Sequence, residues 1–138
     1  MNDIDEMKQI ADLLHTAKTI AVVGLSDNPG RTSFQISEVM AARGYKVVGV
    51  NPMIKYAGSF EVYASLKDVP FKIDIVNVFR RSETIPEIIE DVLSVNPKAL
   101  WLQQGVRNDE AVKPVIKKGI QTIQDKCIAV YYNLCKAF

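Results

Sequence analysis

The residues best suited to chemistry lie in one stretch, TIAVVGLSDNPGRTS, residues 19–33. Residues 20–23 form a short apolar, β-rich run, and Gly24 ends it. Ser26, Asp27, Asn28, Pro29 and Gly30 then make a loop rich in turn residues. Thr32 and Ser33 stand as candidate helix N-caps, and Phe34, Ile36 and residues 39–42 repeat as one face of an amphipathic helix. A helix N-terminus presents unpaired N–H groups and partial positive charge, so the chemistry of this stretch is phosphate binding. The spacing is Gly24-x-Ser26 and not the dinucleotide fingerprint G-x-G-x-x-G. A plain βα turn has the same outline, so the remaining loops must decide.

Those loops carry cations. Apolar runs at 45–50, 73–79 and 99–102 read as further strands. Asn51, Pro52 and, a little later, Lys55 follow the first of these. Arg80, Arg81 and Ser82 follow the second, and Gln103, Gly105 and Arg107 the third. Of the five arginines, four (Arg31, Arg80, Arg81 and Arg107) fall in loops after strands. Arginine suits bidentate phosphate binding, so a nearly neutral chain with arginines at one edge reads as a site for a phosphorylated small molecule. Solvated loop charge is the competing reading, and weighs most for Arg81 and Arg107.

Several chemistries are disfavoured. A nicotinamide site places Asp or Glu after the second strand, where this chain has Asn51. No G-x-x-x-x-G-K-[ST] loop and no carboxylate cluster for a magnesium-dependent phosphotransferase occur. The single histidine, His15, lies in the N-terminal helix and reads as a surface residue, so no Ser/His/Asp set can be assembled. Cys127, beside Lys126 and Ile128, is either a thiol activated by lysine or, more commonly at such sites, a buried structural one. No catalytic residue and no metal ligand is assigned.

The elements that position these loops follow from periodicity. Residues 3–16 repeat as a helix, 33–43 as another closed by Gly44, 84–93 as a third with Pro86 in its first turn, and 108–118 as a fourth. Residues 60–63 are a possible short strand and 121–123 a fifth. Residues 127–130 are a sixth element or its continuation. Strands alternating with helices predict an α/β, Rossmann-like, doubly wound sheet of about five mostly parallel strands with helices on both faces. A length of 138 residues and 48% apolar content suit one domain over 1–138: an N-terminal helix in 1–18, a core in 19–130 and a tail in 131–138 without an assigned element. A net charge of +1 disfavours nucleic acid as a partner. Two cysteines without a metal pattern fit a reducing compartment, and no run reaches the roughly 18–20 apolar residues of a membrane span. The polar, acidic N-terminus is unlike a signal peptide. The expectation is a cytoplasmic protein, with any protein partner unassigned.

The words AVVGLSDNPGRTS, GYKVVGVNP, YASLKDVP, DIVNVFRR, ALWLQQGVRN and DKCI, in that order and at these separations, resemble the small single-domain CoA-binding proteins. Their domain is similar to the CoA-binding domain of the succinyl-CoA synthetase α subunit. The resemblance covers about residues 19–128; beyond Cys127 the chain departs from the family pattern and reads IAVYYNLCKAF. It implies a nucleotide-binding site for CoA or acyl-CoA at the carboxyl ends of the strands. By the family pattern Gly24 and Ser26 of the phosphate-binding loop approach the phosphates and Arg31 is a candidate pyrophosphate partner, with Leu25, Asn28 and Ser33 as further cofactor-binding candidates. Asn51 and Pro52 wall the adenine–ribose side, Phe79, Arg80 and Arg81 line the cleft, and Gln103 with Gly105 closes it. Three functions are open: a CoA-binding module without catalysis of its own, an accessory or catalytic subunit in acyl-CoA metabolism, and a nucleotide-responsive regulatory domain. The synthetase reaction needs a phosphorylatable histidine in a further domain, which disfavours ligation by this chain alone.

Overall fold

The computed structural model describes residues 3–138. Seven strands form one sheet: β1 (Thr19–Val23), β2 (Lys46–Val50), β3 (Tyr56–Ala57), β4 (Phe60–Tyr63), β5 (Ile75–Val78), β6 (Ala99–Leu102) and β7 (Gln121–Ile123). Their order is β3-β4-β2-β1-β5-β6-β7, and every pair is parallel except the β3–β4 hairpin. The fold is therefore the expected α/β, Rossmann-like one, with seven strands where about five were expected. The added pair comes from residues 56–63, where Phe60–Tyr63 pairs parallel to β2 and a two-residue strand folds back on it.

The sheet is buried on both faces because its strands alternate between two cores. Ile20, Val22, Val47, Ile75, Ala99, Trp101 and Ile123 face α1 (Asp3–Thr16), α2 (Thr32–Ala42) and α5 (Ile128–Leu134). Ala21, Val23, Val48, Val50, Val76, Val78, Leu100 and Leu102 face the segment Ser82–Val95 and α4 (Lys113–Lys117). Such two-sided burial explains the near-continuous apolar strands.

Three elements differ from expectation. The third helix opens as a 3-10 segment, Ser82–Ile88, and only Ile89–Val95 (α3) is α-helical. Pro86 has no N–H to donate and disfavours α geometry before it. The fourth helix shrinks to Lys113–Lys117, with Pro114 in its first turn. Residues before it form turns closed by Asn108, whose Oδ1 accepts from Ala111 N–H at 3.0 Å and whose Nδ2 donates to Ser82 O at 2.9 Å. The unassigned tail is α5 followed by a 3-10 turn, Cys135–Ala137, so the boundary expected at 130/131 falls inside a helix. Cys135 is fully buried, and Tyr131 and Tyr132 meet Trp101 and Tyr45 edge-on at 6.2 and 6.1 Å.

The register matters most for function. Tyr63, Val50, Val23, Val78 and Leu102 are mutual partners across β4, β2, β1, β5 and β6. Five strands thus end in one row. The ladder continues one residue further: Asn51 N–H donates to Tyr63 O, Gly24 N–H to Val50 O, Phe79 N–H to Val23 O and Gln103 N–H to Val78 O, at 2.9–3.2 Å.

Candidate functional site

Ala64, Asn51, Gly24, Phe79 and Gln103 occupy the positions immediately after that row. At about 4.8 Å per strand, the row is about 19 Å long. Three adjoining cavities lie along it. One of about 420 Å³ spans Gly24, Asn51, Pro52, Ser65, Arg80, Glu87 and Asp91. One of about 500 Å³ lies over the loop, lined by Gly24, Ser26, Gly30, Arg31, Thr32, Ser33 and Phe79. One of about 600 Å³ is bounded by Thr32, Phe79, Arg80, Arg81, Gln103, Gly105 and Cys127. Gly24, Phe79, Thr32 and Arg80 are shared between neighbours, so the three make one cleft. A depression of about 680 Å³ between α1 and β7 holds none of the expected residues.

The loop after β1 shapes itself. Ser26 Oγ accepts from Asn28 N–H at 3.0 Å, Asn28 Oδ1 accepts from Gly30 N–H at 2.9 Å, and Asn28 O accepts from Arg31 N–H at 3.0 Å. Asn28 therefore builds the loop and lines none of the three cavities. The N-cap of α2 is Arg31, without a side-chain cap bond, and not Thr32 or Ser33. Ser33 instead reaches back, its Oγ accepting from Ser26 N–H at 3.0 Å. That choice ties the loop down and leaves the first turn of α2 without a capping side chain, beside the cavity that Arg31, Thr32 and Ser33 line.

Gly24 has φ +87°, and a Cβ there would stand 2.3 Å from Phe79 O. Only glycine brings the chain this close to β5, and the approach leaves a hollow before the N-terminus of α2. Leu25 is different. Its side chain is fully buried, and a Cβ on Gly49 of β2 would lie 2.6 Å from Leu25 Cδ2. Leu25 packs over that bare stretch of strand and offers no side chain to the cleft. Its carbonyl accepts from Asn51 Nδ2 at 3.0 Å, while Asn51 Oδ1 accepts from Met53 N–H at 2.9 Å. Asn51 thus clasps two loops and walls the cavity beside Pro52.

Charge is distributed less freely than the arginine count implies. Arg80 pairs with Glu87 at 3.4 Å, Arg81 with Glu83 at 3.6 Å and Arg107 with Asp109 at 3.1 Å. Among the described residues Arg31 alone of the four has no carboxylate within ion-pair distance. Gln103 is 4% exposed, and its Oε1 accepts from Ile128 N–H at 3.0 Å. Gly105 has φ +87° and donates its N–H to Asp125 Oδ1 at 2.7 Å. Lys55 is exposed and lines none of the three cavities.

Several lining residues escaped the sequence reading, Ser65, Glu87, Asp91 and Cys127 among them. Ser65 follows β4, and pairing that short strand beside β2 would have exposed it by the same rule that found the others. Glu87 and Asp91 sit on the segment covering the sheet, and no strand end points to them. Cys127 was read as a structural thiol more readily than as a cleft residue, yet it lines the third cavity.

Residues 18–133 match a family described as the CoA binding domain. The chain belongs to that family. The uncharacterized protein YneT of Bacillus subtilis is 44% identical to this CoA-binding domain over 128 residues, 93% of the chain and 95% of YneT. The α subunit of an ADP-forming acetate–CoA ligase of Pyrococcus furiosus is 28% identical over 114 residues, 78% of this chain but only 22% of that subunit. A Thermus thermophilus protein solved as cell-free ID.343 superposes with a TM-score of 0.90 at 31% identity, covering 98% of this chain and 99% of its own. The resemblance read from the sequence holds at family level, and its ligase relative is an α subunit of acyl-CoA chemistry. No helix among the described residues is long and apolar enough to cross a membrane.

Proposed function

We propose that this domain binds CoA, free or as an acyl thioester, along the row of strand ends, and catalyses no reaction by itself. One observation carries the reading: Asn51, Gly24, Phe79 and Gln103 stand side by side over one continuous cleft. CoA is long, with a pyrophosphate near its middle, and such a ligand needs an elongated site with an anion cradle in the centre. The α2 N-terminus and Arg31 hold the pyrophosphate. Asn51 and Pro52 wall the adenosine, Phe79 and Arg80 the middle of the cleft, with Arg81 beside them, and Gln103 with Gly105 the far end. The match to a CoA-binding family supports this reading, as does the ligase α subunit among the relatives. Because the chain spans 22% of that subunit, ligase activity does not transfer with the domain.

Calorimetry with CoA and NAD tests the proposal. Both ligands carry adenosine and a pyrophosphate, but the residue after β2 is Asn51, without the carboxylate that holds nicotinamide-dinucleotide ribose. CoA is expected to bind more tightly; NAD binding as tight or tighter overturns the reading.

A further inference from the structure

The end of the cleft farthest from Asn51 holds two groups that the phosphate contacts leave unused. Gln103 is almost wholly buried, yet among the described residues its Nε2 makes no hydrogen bond. That amide nitrogen is not fully enclosed, so the donor opens onto the cavity that Gln103 lines. The second group is the Cys127 thiol, half-buried in the same cavity. Its backbone is clamped from both sides. Trp101 Nε1 donates to Lys126 O at 2.8 Å, and Ile128 N–H donates to Gln103 Oε1 at 3.0 Å.

We propose that Cys127 is a covalent anchor for the thiol end of CoA, formed by thiol–disulfide exchange with CoA disulfide. The inference rests on the CoA reading above. With adenosine at β2 and pyrophosphate at β1, the pantetheine arm must run towards β6. Two strand spacings separate β1 from β6, about 10 Å. The arm has about twelve bonds from phosphate ester to sulfur, as many as four residues of extended chain, and reaches about 14 Å. It contains two amides, and an unpartnered Gln103 Nε2 is the donor one of their carbonyls requires. The sulfur then arrives beside Cys127.

The step balances without an outside oxidant. Cys127 gives its proton to solvent, and Sγ attacks one sulfur of CoA disulfide. The S–S bond of that disulfide breaks as the Sγ–S bond forms. The second CoA leaves as a thiolate and takes up a proton. Cys135 cannot substitute: it is fully buried, and burial raises its thiol pKa.

The reduced full-length chain is incubated with CoA disulfide or, in parallel, glutathione disulfide, and followed by intact-mass and peptide spectrometry. One CoA adduct on Cys127 is expected, forming at least about tenfold faster than the glutathione adduct because docking raises the local concentration of the disulfide. Reductant removes it, Cys127→Ser does not form it, and Cys135→Ala still does. Gln103→Glu keeps an acceptor for Ile128 but loses the donor, and the preference for CoA disulfide is expected to shrink severalfold. Equal rates with both disulfides, an adduct on Cys135 alone, or an undiminished preference in Gln103→Glu overturns the inference. Calorimetry of the wild-type chain with CoA under reductant separates the two failures. Binding there without disulfide preference removes the anchor alone, whereas no binding removes the CoA reading with it.

Discussion

Two glycines share φ +87° and differ in everything around them. At Gly105 a Cβ meets nothing within 4 Å, whereas at Gly24 it lies 2.3 Å from Phe79 O. Gly105→Ala therefore carries only the cost of a left-handed L-residue, about 1–2 kcal/mol. Gly24→Ala adds a backbone collision, and is expected to lose about twice as much or more in urea unfolding and to bind CoA poorly. Arg80 poses a different question, because Glu87 already holds it. A mostly exposed partner makes that pair worth at most about 1 kcal/mol to folding. A charge-assisted bond to phosphate is worth about 1.5–3 kcal/mol, so Arg80→Ala should weaken CoA roughly 10- to 150-fold with little change in melting temperature. Glu87→Gln removes the competitor and should tighten CoA about threefold. Calorimetry and thermal melts on both variants check this. A destabilised Arg80→Ala with unchanged affinity makes Arg80 structural. The strand-end residues of the candidate cleft were legible because apolar runs mark directly where the strands stop. Glu87 and Asp91 were not, since a helix covering a sheet announces its buried face and leaves its rim unspecified.

Elements were legible where one period dominates. Thr19–Val23 and Ala99–Leu102 are buried on both faces and stand where their apolar runs put them. The hairpin partner Tyr56–Ala57 was illegible: two residues carry no period, and only pairing with β4 makes them a strand. Proline misplaced the start of α3 and α4, where apolar spacing continued through residues whose backbone cannot complete an α-turn. The loop between β1 and α2 was legible in composition but not in its bonds, because composition does not say which backbone N–H each of Ser26, Asn28 and Ser33 accepts from. Ser33 accepts from Ser26 N–H in place of capping α2. Ser33→Ala is expected to leave that half-buried donor unpaired. It should lower stability by about 1–2 kcal/mol, speed hydrogen exchange at the Ser26 amide and weaken CoA binding. Unchanged exchange at Ser26 would show that the bond does not hold the loop.

Across the whole molecule, Tyr45 joins three elements: it immediately precedes β2, donates its hydroxyl to Leu14 O of α1, and its ring meets Tyr132 of α5. Burial, with smaller contributions from Tyr132 and Cys135, raises its pKa from 10.0 to about 12. A raised folded-state pKa means that the native chain keeps a proton the unfolded chain releases. Its stabilising contribution is complete below pH 10 and lost as pH rises towards about 12. The full loss is on the order of 2–3 kcal/mol. Urea midpoints of wild type should therefore fall relative to Tyr45→Phe between about pH 10 and pH 12, and parallel curves would remove Tyr45 from that role. Leu25 has a reach of another kind. Lifting it off Gly49 forfeits about 1.5–3 kcal/mol of burial and about 1 kcal/mol from the Asn51 bond, so the loop stands open in roughly one molecule in a hundred to a thousand. On the CoA reading proposed above, the ligand is then expected to meet a loop already shaped. Stopped-flow binding should show one phase whose rate rises linearly with CoA, and Gly49→Ala, by forcing Leu25 outward, should add a slow phase that saturates. A cradle stoppered from behind sets the tempo of binding by encounter, with no gate to wait for.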